Sequence, residues 1–181
     1  MQPVFLIVGG PGVGKSTTCR ALAATFDRAV HIDVDRLREM VVSGLALPDA
    51  EWGDAVVLQV RLARESAIRM ARLYADAGFA VVIDDFHDRN GLVEYDELLG
   101  RPGASVALLY PTMDEARRRK AVRSPGSAGA FIDAAIPGVY AELAPLIDGI
   151  RAKGWLVLDT TDMDVDAAVA AIRDRAGLEA G

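Results

Sequence analysis

Residues 9–16 read Gly9-Gly10-Pro11-Gly12-Val13-Gly14-Lys15-Ser16, a G-x-x-x-x-G-K-[ST] pattern that begins where the apolar run Val4-Phe5-Leu6-Ile7-Val8 stops. Glycines at this spacing let successive backbone N–H groups turn inward around a polyphosphate, and the N-terminus of the following helix adds its positive end. Lys15 then reaches the outer phosphates and the Ser16 hydroxyl serves magnesium. The expected nucleotide contacts are Gly10, Pro11, Gly12, Val13, Gly14, Lys15, Ser16 and Thr17. A chance glycine turn has no reason to fill all the fixed positions in strand-loop-helix order, so the pattern implies nucleotide handling.

Four further clusters carry chemistry. Asp33-Val34-Asp35 closes an apolar stretch and is followed by Arg36 and Arg38. Asp35 is placed to take a proton from an attacking hydroxyl, and Arg38, one helical turn on, to bind an anionic substrate group. Asp33 is a second substrate-side candidate, although either acid would also serve as an ordinary helix N-cap. Phe79-Ala80-Val81-Val82-Ile83-Asp84-Asp85 is an apolar strand ending in two carboxylates, the form of an acid that holds hydrated Mg2+. Strand side chains alternate, so Asp84 and Asp85 start on opposite faces, and the residues alone leave open which one serves the metal. His87, just beyond, is a substrate-side candidate.

Arg117-Arg118-Arg119-Lys120 and Arg123 crowd positive charge into one segment after Asp114 and Glu115. An acidic start and basic end suit the helix dipole, but so dense a run of cations repels itself unless phosphates are near. With Ser124-Pro125-Gly126-Ser127 following, the segment over about 117–129 reads as a lid. Arg119 and Arg123, four apart, are its catalytic pair, and Arg119 also a nucleotide contact. Asp159-Thr160-Thr161-Asp162 follows the last strand candidate and is expected to cradle adenine through Thr161, unless Thr161 or Asp162 is simply the cap of the next helix.

These residues need a frame that gathers them. Strand-like runs at 3–9, 29–33, 79–84, 104–110 and 155–159 alternate with helical segments at about 15–26, 34–43, 54–77, 91–99, 112–124, 129–152 and 164–176. Alternation of this kind predicts a parallel α/β sheet, and in such sheets ligands collect beyond the carboxyl ends of the strands, where every cluster above falls. The 181 residues fit one domain with no internal repeat, and 51% apolar with only 6% aromatic residues suits short buried strands under Ala-rich helices. The single Cys19 is expected to be a small core residue. A net charge of −6 leans against a polyanionic partner, although the local basic run weakens that objection. The first apolar run is too short to span a bilayer, no leader-like pattern precedes it, and a cytoplasmic location is expected.

Taken together, Gly9 to Ser16, Ile32-Asp33-Val34-Asp35, Val82-Ile83-Asp84-Asp85, Arg119-x-x-x-Arg123 and Asp159-Thr160-Thr161-Asp162 resemble the P-loop kinases related to nucleoside monophosphate kinases. The likeness is to the small ATP-binding phosphotransferases that include chloramphenicol phosphotransferase and zeta-toxin-like kinases. It implies a five-stranded parallel sheet in the order 2-3-1-4-5 with helices on both faces, ATP with Mg2+, and an acid after the second strand acting on an acceptor hydroxyl. Lys15-Ser16, Asp35-x-x-Arg38 and Asp85 also resemble polynucleotide 5′-hydroxyl kinases, but Asp33-Val34-Asp35 and Phe86-His87-Asp88 depart from that pattern. The expected activity is therefore transfer of the γ-phosphate of Mg-ATP to a small-molecule hydroxyl, with a nucleic-acid 5′ end or a nucleotide-dependent switch as the alternatives. No N-K-x-D guanine-reading motif occurs, which favours adenine.

Overall fold

A computed structural model describes residues 2–46, 53–87, 92–122 and 135–178 in full and only the backbone of 123 and 127–134. Five parallel strands form one sheet: β1 (Val4–Val8), β2 (Ala29–Asp33), β3 (Ala80–Asp85), β4 (Ala104–Leu109) and β5 (Leu156–Leu158). Their order is β2-β3-β1-β4-β5, as the resemblance implied. β1 is fully buried and hydrogen-bonded on both sides, which is why its five residues run without a polar interruption.

Among the described residues the helices are α1 (Lys15–Ala24), α2 (Val34–Glu39), α3 (Asp54–Asp76), α4 (Asp96–Leu99), α5 (Met113–Arg123), α6 (Ser127–Leu143), α7 (Ile147–Ala152) and α8 (Val165–Arg175). Two points differ from the sequence reading. The helix expected over 129–152 breaks into α6, a 3-10 turn at Ala144–Leu146 and α7, because Pro145 has no N–H to continue the ladder. The segment expected as a helix over 91–99 opens instead with a 3-10 turn, Val93–Tyr95, after Leu92, which adopts φ 64° while almost wholly buried. Left-handed backbone is costly for a branched residue, so burial of the leucine side chain fixes that turn in place.

The sheet's two faces bury different clusters. Phe5, Ile7, Cys19, Leu22, Val82, Leu109, Val169 and Ile172 pack where α1 and α8 cover it. Leu6, Val8, Ala67, Val81, Ile83, Tyr95, Leu98 and Ile150 pack on the other side, against α3, α4 and α7. Each large aliphatic side chain so buried contributes about 1.5–3 kcal/mol. The register then aligns the strand ends: Val8 pairs with Asp85, Ile7 with Asp84, and Asp33 with Asp84. The loop after β1 and the acids of β2 and β3 therefore emerge at one edge. No helix among the described residues is long and apolar enough to cross a membrane.

Candidate active site

The loop between β1 and α1 carries glycine where the backbone turns left-handed or is closely approached. Gly12 sits at φ 76°, and a Cβ there would be driven into the Ala116 carbonyl oxygen of α5, while Gly14 sits at φ 100° as the residue before α1. Val13 points into the core and pins the loop from below. Gly14 offers α1 no side-chain cap and the first turn of the helix carries no acid, so neither opposes an anion at its positive end. α2 and α8 differ: the Asp33 carboxylate accepts from Arg36 N–H at 3.2 Å, and Asp164 from Ala167 N–H at 2.8 Å. Lys15 folds back over the loop and donates from Nζ to the Gly10 carbonyl at 3.2 Å.

Facing this loop are the acids of β2 and β3. Asp84 is buried, and although burial alone would raise its pKa, the neighbouring His31 imidazole, Lys15 and the Ser16 hydroxyl together hold it below the usual carboxylate range. Asp35, in the first turn of α2, keeps 61% of its side-chain surface open, and Arg38 Nη1 stands 3.6 Å from its Oδ1. The surrounding protein shifts the Asp35 pKa upward, opposed first by Lys15 and then by Arg38. Arg38 itself is largely buried, donates to the Ala46 carbonyl at 3.3 Å, and has an Nε without a partner among the described residues. Asp33 is engaged as the α2 cap, the alternative its position had offered.

Asp85 belongs to the opposite face. Its Oδ2 accepts from Arg64 Nε at 2.8 Å and from the Tyr95 hydroxyl at 3.0 Å, and its Oδ1 from Phe86 N–H at 2.7 Å. Arg64 and Asp85 are wholly buried, and Arg64 also donates to Glu94 at 3.2 Å and to the Phe86 carbonyl at 3.3 Å. Burial pushes the Asp85 carboxyl upward against the pull of Arg64. Both of its oxygens are consumed by this network.

Arg119 bridges two parts of the site. Its Nε donates to Glu115 at 2.6 Å, its Nη1 to the Val13 carbonyl at 3.3 Å, and its Nη2 to the Thr160 carbonyl at 2.6 Å. Thr161 donates from Oγ1 to Asp159 at 2.6 Å and accepts from Thr112 N–H at 2.8 Å, so it braces the turn, and the cap of α8 is Asp164 rather than Thr161 or Asp162. The Tyr140 hydroxyl donates to the Pro111 carbonyl at 2.7 Å nearby. Arg123 closes α5, but its side chain, like residues 124–126 of the expected lid, lies outside the described residues. Asp88 lies outside them too. His87 packs edge-on against Trp155, ring centroids 6.2 Å apart.

A family model described as an AAA domain matches residues 4–130, more than half of the chain. The chain belongs to that family. Solved structures of kinases share its fold. Shikimate kinase from Bacteroides thetaiotaomicron superposes with a TM-score of 0.68 at 17% identity, covering 97% of this chain and 99% of that one. The tunicamycin resistance protein of Deinococcus radiodurans superposes with a TM-score of 0.65 at 12% identity over 99% and 98%. A uridylate kinase of Schizosaccharomyces pombe is 52% identical over 40 residues, a stretch that is 22% of this chain and 21% of that protein.

Two residues of this AAA-domain chain escaped the sequence reading. Arg64 occupies a place in the α3 stripe Val56, Val60, Ala63, Ala67, Ile68 and Ala71, where a charge signals a buried partner. His31 interrupts Ala29-Val30-His31-Ile32 on the same face as Asp33, so the period of the strand already put it on the face where Asp84 lies.

Proposed function

We propose that the chain is a phosphotransferase that moves the γ-phosphate of Mg-ATP to the hydroxyl of a small molecule. One observation carries this reading: the glycine loop, with Lys15 folded back over it, opens at the same sheet edge as the ends of β2 and β3, where Asp35 and Asp84 stand. The donor set fits the reactants. Backbone N–H groups of Gly10 to Ser16 and the α1 N-terminus would bind the phosphates. Ser16 and the ionised Asp84 would hold Mg2+, which supplies charge neutralisation on the outer phosphates.

Asp35 is the open acid, and its carboxylate takes the proton as the acceptor oxygen bonds to the γ-phosphorus and the bond between that phosphorus and the bridging oxygen breaks, leaving ADP. Lys15 balances the migrating negative charge. Arg38, held by Asp35 and the Ala46 carbonyl, turns a cation toward the acceptor side. Arg119 acts by position, fastening the phosphate loop to the Thr160-Thr161 turn and keeping its charge beside Gly14. The likeness in fold to shikimate kinase and to other kinases supports this reading.

Incubation with γ-labelled ATP and a panel of alcohols, sugars, antibiotics and short oligonucleotides tests it. Label is expected in a small hydroxylated acceptor, and Asp35→Ala should slow transfer by roughly 10²–10⁴-fold while still binding ATP. Release of inorganic phosphate alone, or transfer by Asp35→Ala at the parent rate, contradicts it. Label confined to oligonucleotide ends moves the acceptor to nucleic acid.

A further inference from the structure

Below the phosphate loop, on the α1 face of the sheet, three side chains from three elements converge. Cys19 of α1, His31 of β2 and Asp84 of β3 each bring one donor atom, a sulfur, an imidazole nitrogen and a carboxylate oxygen, all within 4.8 Å of one another. Cys19 is wholly buried and Asp84 nearly so, at 4% exposure. His31 Nε2 stands 3.6 Å from Asp84 Oδ2, beyond hydrogen-bond length, and neither atom has a hydrogen-bond partner among the described residues. Buried polar atoms without partners are uncommon, and a pair aimed at each other beside a thiol calls for a shared partner.

The chemistry of the set narrows what that partner is. Magnesium takes oxygen donors, whereas one sulfur, one nitrogen and one oxygen suit a four-coordinate transition ion with an open fourth position. We propose that Cys19, His31 and Asp84 form a binding site for a zinc-type divalent transition ion beneath the phosphate loop. With bonds of about 2.0–2.3 Å, tetrahedral ligand spacings run to roughly 3.3–3.5 Å for this donor set, so the His31–Asp84 pair at 3.6 Å is nearly at span and the thiol closes by at most about 1.3 Å.

On binding, the Cys19 S–H bond breaks, the sulfur pair goes to the metal and the proton leaves to solvent, while His31 Nε2 and Asp84 Oδ2 donate lone pairs without any redox change. A thiolate and a carboxylate then neutralise the dication, which a buried site requires. Because the ion takes an Asp84 oxygen, it should inhibit phosphoryl transfer in competition with Mg2+. That consequence rests on the magnesium role proposed above for Asp84; the binding itself does not.

Titration of the full chain with Co2+ separates the two. Sulfur-to-cobalt charge-transfer absorption is expected, saturating at one ion per chain and displaced by Zn2+. Cys19→Ser should lose that absorption and bind at least roughly tenfold more weakly. His31→Gln should weaken binding comparably while keeping the charge-transfer band, and circular dichroism of both variants reports their folding. Zinc should inhibit the parent, whereas Cys19→Ser keeps its Mg2+-supported turnover and becomes insensitive. Absence of sulfur-to-cobalt absorption, or its persistence in folded Cys19→Ser, overturns the site. If the band appears as expected but zinc leaves turnover untouched, the site stands and the magnesium role of Asp84 falls.

Discussion

The two carboxylates that end β3 are adjacent in sequence and belong to different layers of the molecule. On the α1 face, His31, Lys15 and Ser16 hold the Asp84 carboxyl below the usual range, and one of its oxygens has no hydrogen bond among the described residues. On the α3 face, Asp85 has both oxygens bonded, and its guanidinium partner spends its other donors on Glu94 and the Phe86 carbonyl. An acid meant for a ligand must keep lone pairs free, and an acid meant for the fold must not. The alternation of a single strand is enough to produce both.

Asp85→Ala should give the largest effect in this comparison, a loss of about 3–5 kcal/mol in urea unfolding, because it strands the buried Arg64 charge. Replacing both partners together, as Arg64→Met with Asp85→Leu, should recover most of that loss. If Asp85→Ala left stability unchanged, the division between the faces would be wrong. Next comes Asp84→Asn, expected to cut phosphoryl transfer by roughly 10²–10³-fold in steady-state assays. Its melting temperature should be held or raised, since a buried charge with an unpaired oxygen is removed.

Smaller effects sharpen the contrast among helix starts. Asp33→Ala should cost about 1 kcal/mol of stability as a lost cap, and Asp164→Ala a similar amount, with little change in transfer rate for Asp164→Ala. Smallest is the pH response of the Glu115–Arg119 clamp. The Arg118 and Arg119 guanidiniums bring the Glu115 carboxyl down to about 2. A pKa lowered by folding contributes stability in full above the ordinary glutamate range, and that contribution is lost as pH falls toward about 2. A carbon-13 titration of Glu115 should therefore show no protonation near pH 4, and Glu115→Gln should remove the response.

Much of this arrangement was legible in the residues because it rests on short-range rules. The glycine loop, the five strands and their order followed from spacing and resemblance, since strand-loop-helix alternation leaves few ways to wind a parallel sheet. Asp84 against Asp85 was not legible: period two says that they diverge but not which face receives α1. Arg64 settles that, and its place in an apolar stripe was the available signal. Arg119 was expected at the transferring phosphoryl group; its bonds to Val13 and Thr160 join segments far apart in sequence, a partnership that no local pattern encodes. The same holds for His31, whose meaning depends on Asp84 and Cys19 arriving from two other elements.

Mg2+ dependence of turnover, measured side by side for the parent, Asp84→Asn and Asp85→Asn, tests the central division most directly. The expected result is a greatly raised Mg2+ requirement for Asp84→Asn alone, with Asp85→Asn, assayed where it remains folded, following the parent curve. A raised requirement in Asp85→Asn, with Asp84→Asn unchanged, would contradict the account.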